Sequence, residues 1–235
     1  MRIWPMFGKL VAAASGIALL LFHTTSGQAS VITSPTGATA SSTFSADYGI
    51  VHTIDESGLT VLFVSGSTNF DAYLAGNPLH TQVALNNEWF TALGTTQATV
   101  TYDLGRLSTV DRLALWNEEL SGFGTGRISY SLDGETFVSL ISISPVDNPA
   151  DQPYGAQVFG WEAISARFFR FDISGCPQPI GDPSPFCGIG EVAFSVLAQQ
   201  AEVRGPEAVP EPGTVALLAL SLVGAGWIGR ARRCR

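Results

Sequence analysis

The chain has 235 residues, of which 20 are acidic and 12 are basic, and its formal net charge is −8. Six of the basic residues lie within the first nine and the last six positions, so the part between carries a net charge of −14 and no lysine. Such a surface repels phosphate groups and argues against nucleic acid as a partner, while the length allows one domain with a real core.

Residues 1–29 are predicted to be a secretory signal peptide. Arg2 and Lys9 precede an apolar run, Leu10–Phe22, which is followed by the small and polar residues "HTTSGQAS". Thirteen apolar residues form about 20 Å of helix, which is short for a stable membrane span. An uncleaved anchor is the alternative, and in both cases the chain leaves the cytoplasm.

The sequence from 30 to 197 predicts an all-β domain. Helical periodicity is nearly absent, and apolar residues alternate with polar ones in four stretches, 97–105, 126–132, 166–174 and 191–197. Asp133-Gly134 marks a tight hairpin turn, and Gly105 is expected to end the first of these strands in a turn. Several short strands separated by Gly, Ser, Asn and Pro predict an antiparallel sandwich.

The order of these motifs resembles a discoidin domain, the coagulation-factor type C module of the galactose-binding-like class. The similar segments are "TVTYDLG", "LALWN", "SYSLDGETF" and "ARFFRFDIS…GIGEVAF", within a stretch that covers residues 38–197. The resemblance implies an antiparallel jelly-roll β-sandwich that binds glycans, lipids or proteins through loops at one end. It also implies a structural calcium ion.

Asp55, Ser57 and Glu191 are the candidate calcium ligands. The resemblance places the metal between an early Asp-containing loop, here "TIDESGL", and a Glu at the start of the last strand. Calcium needs six to eight oxygen ligands, and carboxylates and backbone carbonyls supply them. The Asp-Glu-Ser-Gly order departs from the family's tighter Asp-Gly, and a solvated turn with a strand-end carboxylate is the alternative.

Trp89, Asn117, Phe123 and Tyr154 are the candidate ligand-binding residues. Aromatic faces hold the C–H patches of sugars, and amide groups bind their hydroxyls, so these loop residues suit a neutral polysaccharide. Packing is the alternative role, especially for Trp89, which matches a family position that normally packs.

No catalytic motif is present, and the chain is expected not to be an enzyme. The sequence contains no G-x-S-x-G, H-E-x-x-H or P-loop pattern. Glu118 and Glu119 are adjacent, so in a strand they are expected to point to opposite faces and not to cooperate.

Cys176 and Cys187 are predicted to form a disulfide. They flank the Pro-rich segment "PQPIGDPSPF", and a bridge that forms in an oxidising compartment would close this segment into a constrained loop. The spacing lacks the further cysteines or histidines that a zinc site requires.

Residues 198–209 are predicted to be a linker, and residues 210–235 a sorting tail. The triplet Pro210, Glu211 and Pro212 precedes the uncharged segment Gly213–Ile228, and four arginines follow. Such a transmembrane helix should stop in the inner membrane with its arginines in the cytoplasm. The order of parts resembles the PEP-CTERM signal of Gram-negative bacteria, which implies cutting by an exosortase-type enzyme. A permanent anchor is the alternative.

Together these features predict an exported protein of the cell surface or extracellular matrix, which binds extracellular polysaccharide without cleaving it. Two alternatives stay open at this point: a purely structural matrix or biofilm protein without a small ligand, and a glycan-cleaving enzyme.

Overall fold

The computed structural model describes residues 29–180 and 185–198. In these residues the chain forms ten β-strands, one short α-helix and two 3₁₀ turns, at Ala46–Tyr48 and Ile50–Thr53. The elements are β1 (Ser30–Thr33), β2 (Gly37–Ala40), α1 (Phe70–Ala75), β3 (Leu79–His80), β4 (Trp89–Phe90), β5 (Gln97–Asn117), β6 (Thr125–Ser131), β7 (Val138–Ile143), β8 (Tyr154–Gly155), β9 (Gln157–Ser174) and β10 (Gly188–Leu197).

All strand pairs are antiparallel, in the order β1-β10-β5-β9-β6-β7, with β2 on β5, β4 on β10, and β3 paired separately with β8. The predicted fold class, an antiparallel jelly-roll β-sandwich, is confirmed. The alternation of polar and apolar residues produces it, because each strand turns one set of side chains towards the other layer.

Strands β5 and β9 each take part in both layers of the sandwich. Their pairing register shifts between Asp103 and Ser108, where Gly105 has a φ of 75°. The expectation that Gly105 ends a strand in a turn was wrong: its left-handed backbone instead bends one continuous strand of 21 residues. The bend folds β5 back, so both of its ends reach the same end of the domain.

The two ends of the sandwich differ. Ser30 at the start of β1 pairs with Leu197 at the end of β10, so the described chain enters and leaves at one end, called the terminal pole. At the opposite end, called the loop pole, β10 starts beside β4 and near the end of β5. The side-chain amide of Asn117 bonds the carbonyl of Phe123 there, which joins the two layers.

The main core lies between the layers. Phe169 of β9 stacks on Phe194 of β10 with ring centroids 4.5 Å apart. A second core lies behind β5 and β10, where α1 covers Trp116, whose indole N–H donates to the carbonyl of Pro78 at 3.0 Å. Both faces of these two strands are therefore buried around the loop pole.

The predicted disulfide between Cys176 and Cys187 is present. Both residues are buried at the loop pole, where the bridge connects the segment after β9 to the segment before β10. The peptide N–H of Cys187 donates to Thr91 Oγ1, so the bridge also holds the chain next to β4.

Replacing Cys176 and Cys187 together by serine is expected to lower the free energy of unfolding of the full chain by about 3 kcal/mol. The two cysteines are 11 positions apart, and closing a loop of that length constrains the unfolded chain. Urea denaturation with and without reductant measures the effect. Reduced wild type should match the double variant, and a midpoint that does not respond to reductant would contradict the prediction.

Candidate functional site

Four aromatic rings form a closed set at the loop pole, called here the aromatic box. Ring centroids lie 6.0 Å apart for Phe44 and Tyr48, 5.0 Å for Tyr48 and Phe90, 5.2 Å for Phe90 and Phe186, and 6.2 Å for Phe186 and Phe44. Each ring therefore contacts two others. Tilted and edge-to-face arrangements of this kind stabilise one another beyond the area that they bury.

Residues from three parts of the chain form the box, and local structure holds each of them in place. Phe90 belongs to β4 and is buried, and its carbonyl accepts the N–H of Phe44 at 2.8 Å. Tyr48 closes a 3₁₀ turn. Phe186 precedes Cys187, so the disulfide anchors it. The box thus combines one strand residue, one residue of a 3₁₀ turn, and two loop residues that a backbone hydrogen bond and the disulfide hold next to them.

The box opens into a cavity of about 210 Å³, which Val83 and Leu120 also line. Half of the surface of Phe44 is exposed, whereas Phe90 forms the floor at 4% exposure. Such a cavity can take the apolar face of a ligand while the ligand's polar edge stays in water.

Three carboxyl groups lie buried next to the box. Glu88, Glu118 and Glu119 expose 1% or less of their surface. Each accepts backbone N–H groups from the loops around the cavity: Glu88 Oε2 from Ala84 at 3.0 Å, Glu119 Oε1 from Val83 at 2.8 Å, and Glu118 Oε2 from Leu120 and Ser121.

Burial changes the protonation of this carboxyl cluster. Loss of water raises the pKa of Glu88 to about 8 and raises the pKa of Glu118 well above its usual range. The neighbouring charge of Glu119 raises the pKa of Glu118 further, and burial raises that of Glu119 itself. At neutral pH the cluster therefore holds protons.

The expectation that Glu118 and Glu119 point apart was wrong. Strand β5 ends at Asn117, so the two glutamates lie in a turn, where neighbouring side chains are not forced to opposite faces. Their carboxyl groups interact directly enough to alter each other's pKa.

His80 and Tyr154 complete the buried polar layer. The two rings stack with centroids 5.0 Å apart, and His80 Nδ1 lies 3.5 Å from Glu88 Oε1 and 3.0 Å from the carbonyl oxygen of Thr81. Burial lowers the pKa of His80 to about 4, so its ring is neutral and does not balance the charge of the cluster.

The four predicted ligand-binding residues are all buried, at 3% exposure or less: Trp89, Asn117, Phe123 and Tyr154. Trp89 donates its indole N–H to the carbonyl of Ser42 at 3.1 Å and packs in the core. Asn117 binds the backbone of Phe123 and the side chain of Gln178. These side chains support the loop pole from beneath and have no surface from which to touch a sugar in this structure.

Sequence analysis did not identify the aromatic box, whose members Phe44, Tyr48 and Phe186 lie outside the predicted strands. The first two lie in "SSTFSADYG", which shows no strand alternation, and the third lies in the Pro-rich segment between the cysteines. Aromatic residues in Ser- and Pro-rich loops were the available signal, since such residues need a partner outside the regular strands.

The structure brings the three candidate calcium ligands together. Asp55 Oδ1 accepts the N–H and hydroxyl of Ser57 at 3.0 and 2.6 Å, and Glu191 Oε2 accepts the N–H of Glu56 at 3.1 Å. Glu191 is fully buried, and its Oε1 has no hydrogen-bond partner among the residues that the structure describes. Burial, and then the negative charge of Asp55, raise the pKa of Glu191 well above its usual range.

A buried carboxylate oxygen without a donor, next to a second carboxylate, suits a hard cation. Among residues 29–180 and 185–198, however, no three His, Cys, Asp or Glu side chains are arranged to hold a metal ion. Calcium at this site would therefore need backbone carbonyls as further ligands.

Solved structures with a similar chain path include three carbohydrate-binding modules. A chitosan-binding module of a chitosanase/glucanase from Paenibacillus sp. IK-5 is 18% identical, with 69% of this chain and 95% of that one covered and a TM-score of 0.46. CBM32-3 of a family 31 glycoside hydrolase from Clostridium perfringens is 15% identical, with 70% and 90% covered and a TM-score of 0.46. A Clostridium perfringens CBM32-5 in complex with GalNAc-β-1,3-galactose is 14% identical, with 69% and 94% covered and a TM-score of 0.45. Likeness at this level does not identify a ligand for this chain.

No curated protein matches the chain. The part of the chain that the structure describes contains no helix with the length and apolar character needed to cross a membrane. Residues 1–28 of the predicted signal peptide, the linker beyond residue 198 and the predicted transmembrane helix at 213–228 lie outside the described residues.

The C-terminal sequence gives a direct match. Residues 208–233 match the PEP-CTERM protein-sorting motif, which includes the predicted triplet Pro210, Glu211 and Pro212. The chain is therefore an exported protein that carries a PEP-CTERM sorting tail behind an antiparallel β-sandwich domain.

Proposed function

We propose that this protein is a non-catalytic, polysaccharide-binding protein of the cell surface or extracellular matrix of a Gram-negative bacterium. The observation that carries the proposal is the aromatic box, a partly open set of four rings at the loop pole. Flat aromatic faces bind the C–H patches of sugar rings, and a box of fixed rings loses little entropy when it binds.

Polar groups beside the box suit the hydroxyl groups of a sugar. The loop that carries Asn86 contacts the turn that carries Asp47, since the N–H of Asn86 donates to the carbonyl of Asp47 at 2.8 Å. Both residues are exposed next to Tyr48. An amide and a carboxylate at this position can accept and donate hydrogen bonds while the rings hold the apolar face.

The charge around the box favours a neutral polysaccharide. No basic side chain is among the described residues that line the cavity, and the exposed carboxylate of Asp47 lies beside Tyr48. A negatively charged surrounding of this kind disfavours uronic acids and phosphorylated sugars.

The burial of Glu118 and Glu119 supports binding without cleavage. A glycosidase needs two carboxyl groups that flank the scissile bond, about 5–9.5 Å apart and accessible to the sugar. Both glutamates are at most 1% exposed and bind backbone N–H groups, so they have no access to a substrate in this arrangement.

We also infer that calcium binds between Asp55 and Glu191, with Ser57 orienting Asp55. When bound, the ion would neutralise the unpartnered Glu191 oxygen and link the loop after Ile50–Thr53 to β10. This role is structural, since neither Asp55 nor Glu191 is among the residues that line the cavity of the aromatic box.

The sorting tail implies processing by an exosortase-type enzyme near Pro210–Pro212, with the inner membrane as a transient partner. The mature domain would then be released to the surface or the matrix, where the predicted Cys176–Cys187 bridge is stable.

Replacing Phe44 by alanine is expected to weaken glycan binding by about tenfold, which corresponds to about 1.4 kcal/mol. The fold should be retained because Phe44 is 50% exposed. A glycan array with the full chain, followed by titration of the best ligand, measures the loss. Leu107→Ala removes an exposed apolar side chain at the terminal pole and is the matched control.

Wild type that binds no glycan, with or without calcium, would favour the purely structural alternative. If Phe44→Ala binds glycan as tightly as wild type does, the binding site lies outside the box. Product release from matrix polysaccharide would favour the glycan-cleaving enzyme.

Calcium is expected to raise the thermal midpoint of the full chain, and Glu191→Gln is expected to abolish that increase. A ligand at 100 times its dissociation constant stabilises the folded state by about 2.7 kcal/mol. Thermal denaturation in calcium and in chelator makes the comparison, with Glu162→Gln, an exposed glutamate of β9, as the control. Equal midpoints in calcium and chelator for wild type would refute calcium binding.

The mature protein isolated from its host is expected to lack both the signal peptide and the arginines Arg230, Arg232, Arg233 and Arg235. Intact mass spectrometry tests both losses in one measurement. Retention of the arginines would indicate the permanent anchor instead.

A further inference from the structure

We propose that Glu88, Glu118 and Glu119 are positioning residues that share protons and clamp the wall of the aromatic box, so that the box is held closed at low pH and loosens as the pH rises. The inference concerns the shape of the box and does not depend on which ligand it binds. The three glutamates do not line the cavity, and they act through the loops that do.

Two of the wall residues are held by this cluster. Val83 donates its N–H to Glu119 at 2.8 Å, Leu120 donates its N–H to Glu118 at 3.0 Å, and the side chains of both residues line the cavity. Glu118 and Glu119 are consecutive, so the two bonds pull two different loops towards one point. Movement of either carboxyl group would therefore move one side of the box.

The cluster has more acceptors than donors. Glu88 Oε1, Glu118 Oε1 and Glu119 Oε2 are buried, and no donor group of residues 29–180 and 185–198 hydrogen-bonds to them. The hydroxyl of Tyr154, a residue with 3% exposure, has no hydrogen-bond partner within the described part of the chain, and the charges of Glu118, Glu88 and Glu119 act on it. Buried carboxyl groups in this situation keep a proton, because two adjacent carboxylates in a dry site repel each other.

The groups packed around the cluster do not neutralise it. His80 of β3 is neutral above about pH 4, and Tyr154 of β8 is uncharged because burial raises its pKa. The remaining neighbours are acidic or phenolic: Glu191 of β10, Asp151 near Glu119, and Asp47 and Tyr48 of the first 3₁₀ turn. Among described residues, the ion pairs of the arginines are all with aspartates elsewhere.

The sign of the pH effect follows from the raised pKa values. A carboxyl group that holds its proton more tightly in the folded state stabilises that state fully below its unfolded pKa, near 4.5, and this contribution is lost as the pH rises through the folded value. For Glu88 that value is about 8. The clamp should therefore weaken progressively between about pH 4.5 and pH 8, and the ionised cluster should push the loops of Val83 and Leu120 apart.

Amide hydrogen exchange of the full chain at pH 6 and pH 9, corrected for the intrinsic exchange rate, tests the clamp. In wild type the protection of the Val83, Ala84, Leu120 and Ser121 amides is expected to fall at least tenfold more than that of β10. In Glu119→Gln the change at the Val83 amide should be less than twofold, because the glutamine amide replaces the ionisable group at every pH, whereas the Ala84 amide, which Glu88 holds, should still respond. The exposed Glu162→Gln is the matched control and should behave as wild type does.

A second measurement does not depend on any variant. The ¹³C carboxyl resonances of Glu88 and Glu118 in wild type should titrate above pH 6, outside the range of exposed glutamates. Ordinary titration near pH 4–5, or equal protection at pH 6 and 9, would overturn the proposal. If Glu119→Gln does not fold, Glu118→Gln takes its place, and the carboxyl titration alone still decides.

Glycan binding separates this inference from the proposed function. If the loops respond to pH but the protein binds no glycan, the clamp is supported and the proposed function is refuted. If the protein binds a glycan at the box but the loops do not respond to pH, the proposed function is supported and the clamp is refuted.

Discussion

The sandwich depends on the bend in β5. Because Gly105 adopts a left-handed backbone, one strand pairs with β2 and β9 in the first layer and with β9 and β10 in the second. The two layers are thus parts of one hydrogen-bonded sheet, and they enclose the stacked rings of Phe169 and Phe194. The same bend returns the end of β5 to the loop pole, where the aromatic box and the carboxyl cluster lie.

The loop pole combines an apolar surface with a polar interior, which reverses the usual order. Exposed Phe44 and its neighbours form the surface, while glutamates lie beneath. Burying carboxyl groups is unfavourable unless they are hydrogen-bonded or protonated, and here both conditions apply. The buried carboxyl groups hold the irregular loops through hydrogen bonds to their backbone N–H groups. The disulfide at Cys187 holds the neighbouring Phe186.

Local patterns were sufficient for the fold class, the disulfide and the sorting tail. Alternation in β5, β6, β9 and β10 predicted strands because successive side chains of a strand point to opposite faces, although β10 proved to be buried on both. Cys176 and Cys187 are close in sequence. The candidate site needed information that sequence does not carry locally. Phe44, Phe90 and Phe186 meet only through long-range pairing, and whether Trp89 faces solvent or core depends on the opposite layer. Glu118 and Glu119 lie one and two residues beyond the end of β5, so treating them as strand residues gave the wrong relative orientation for their side chains.

The pairing of Ser30 with Leu197 has a consequence for orientation. Both ends of the domain leave from the terminal pole, so attachment through either terminus holds the domain at that pole. The aromatic rings then face outward, roughly a domain's length away from the point of attachment. Cutting the tail changes whether the molecule stays tethered, but it leaves the outward-facing end untouched.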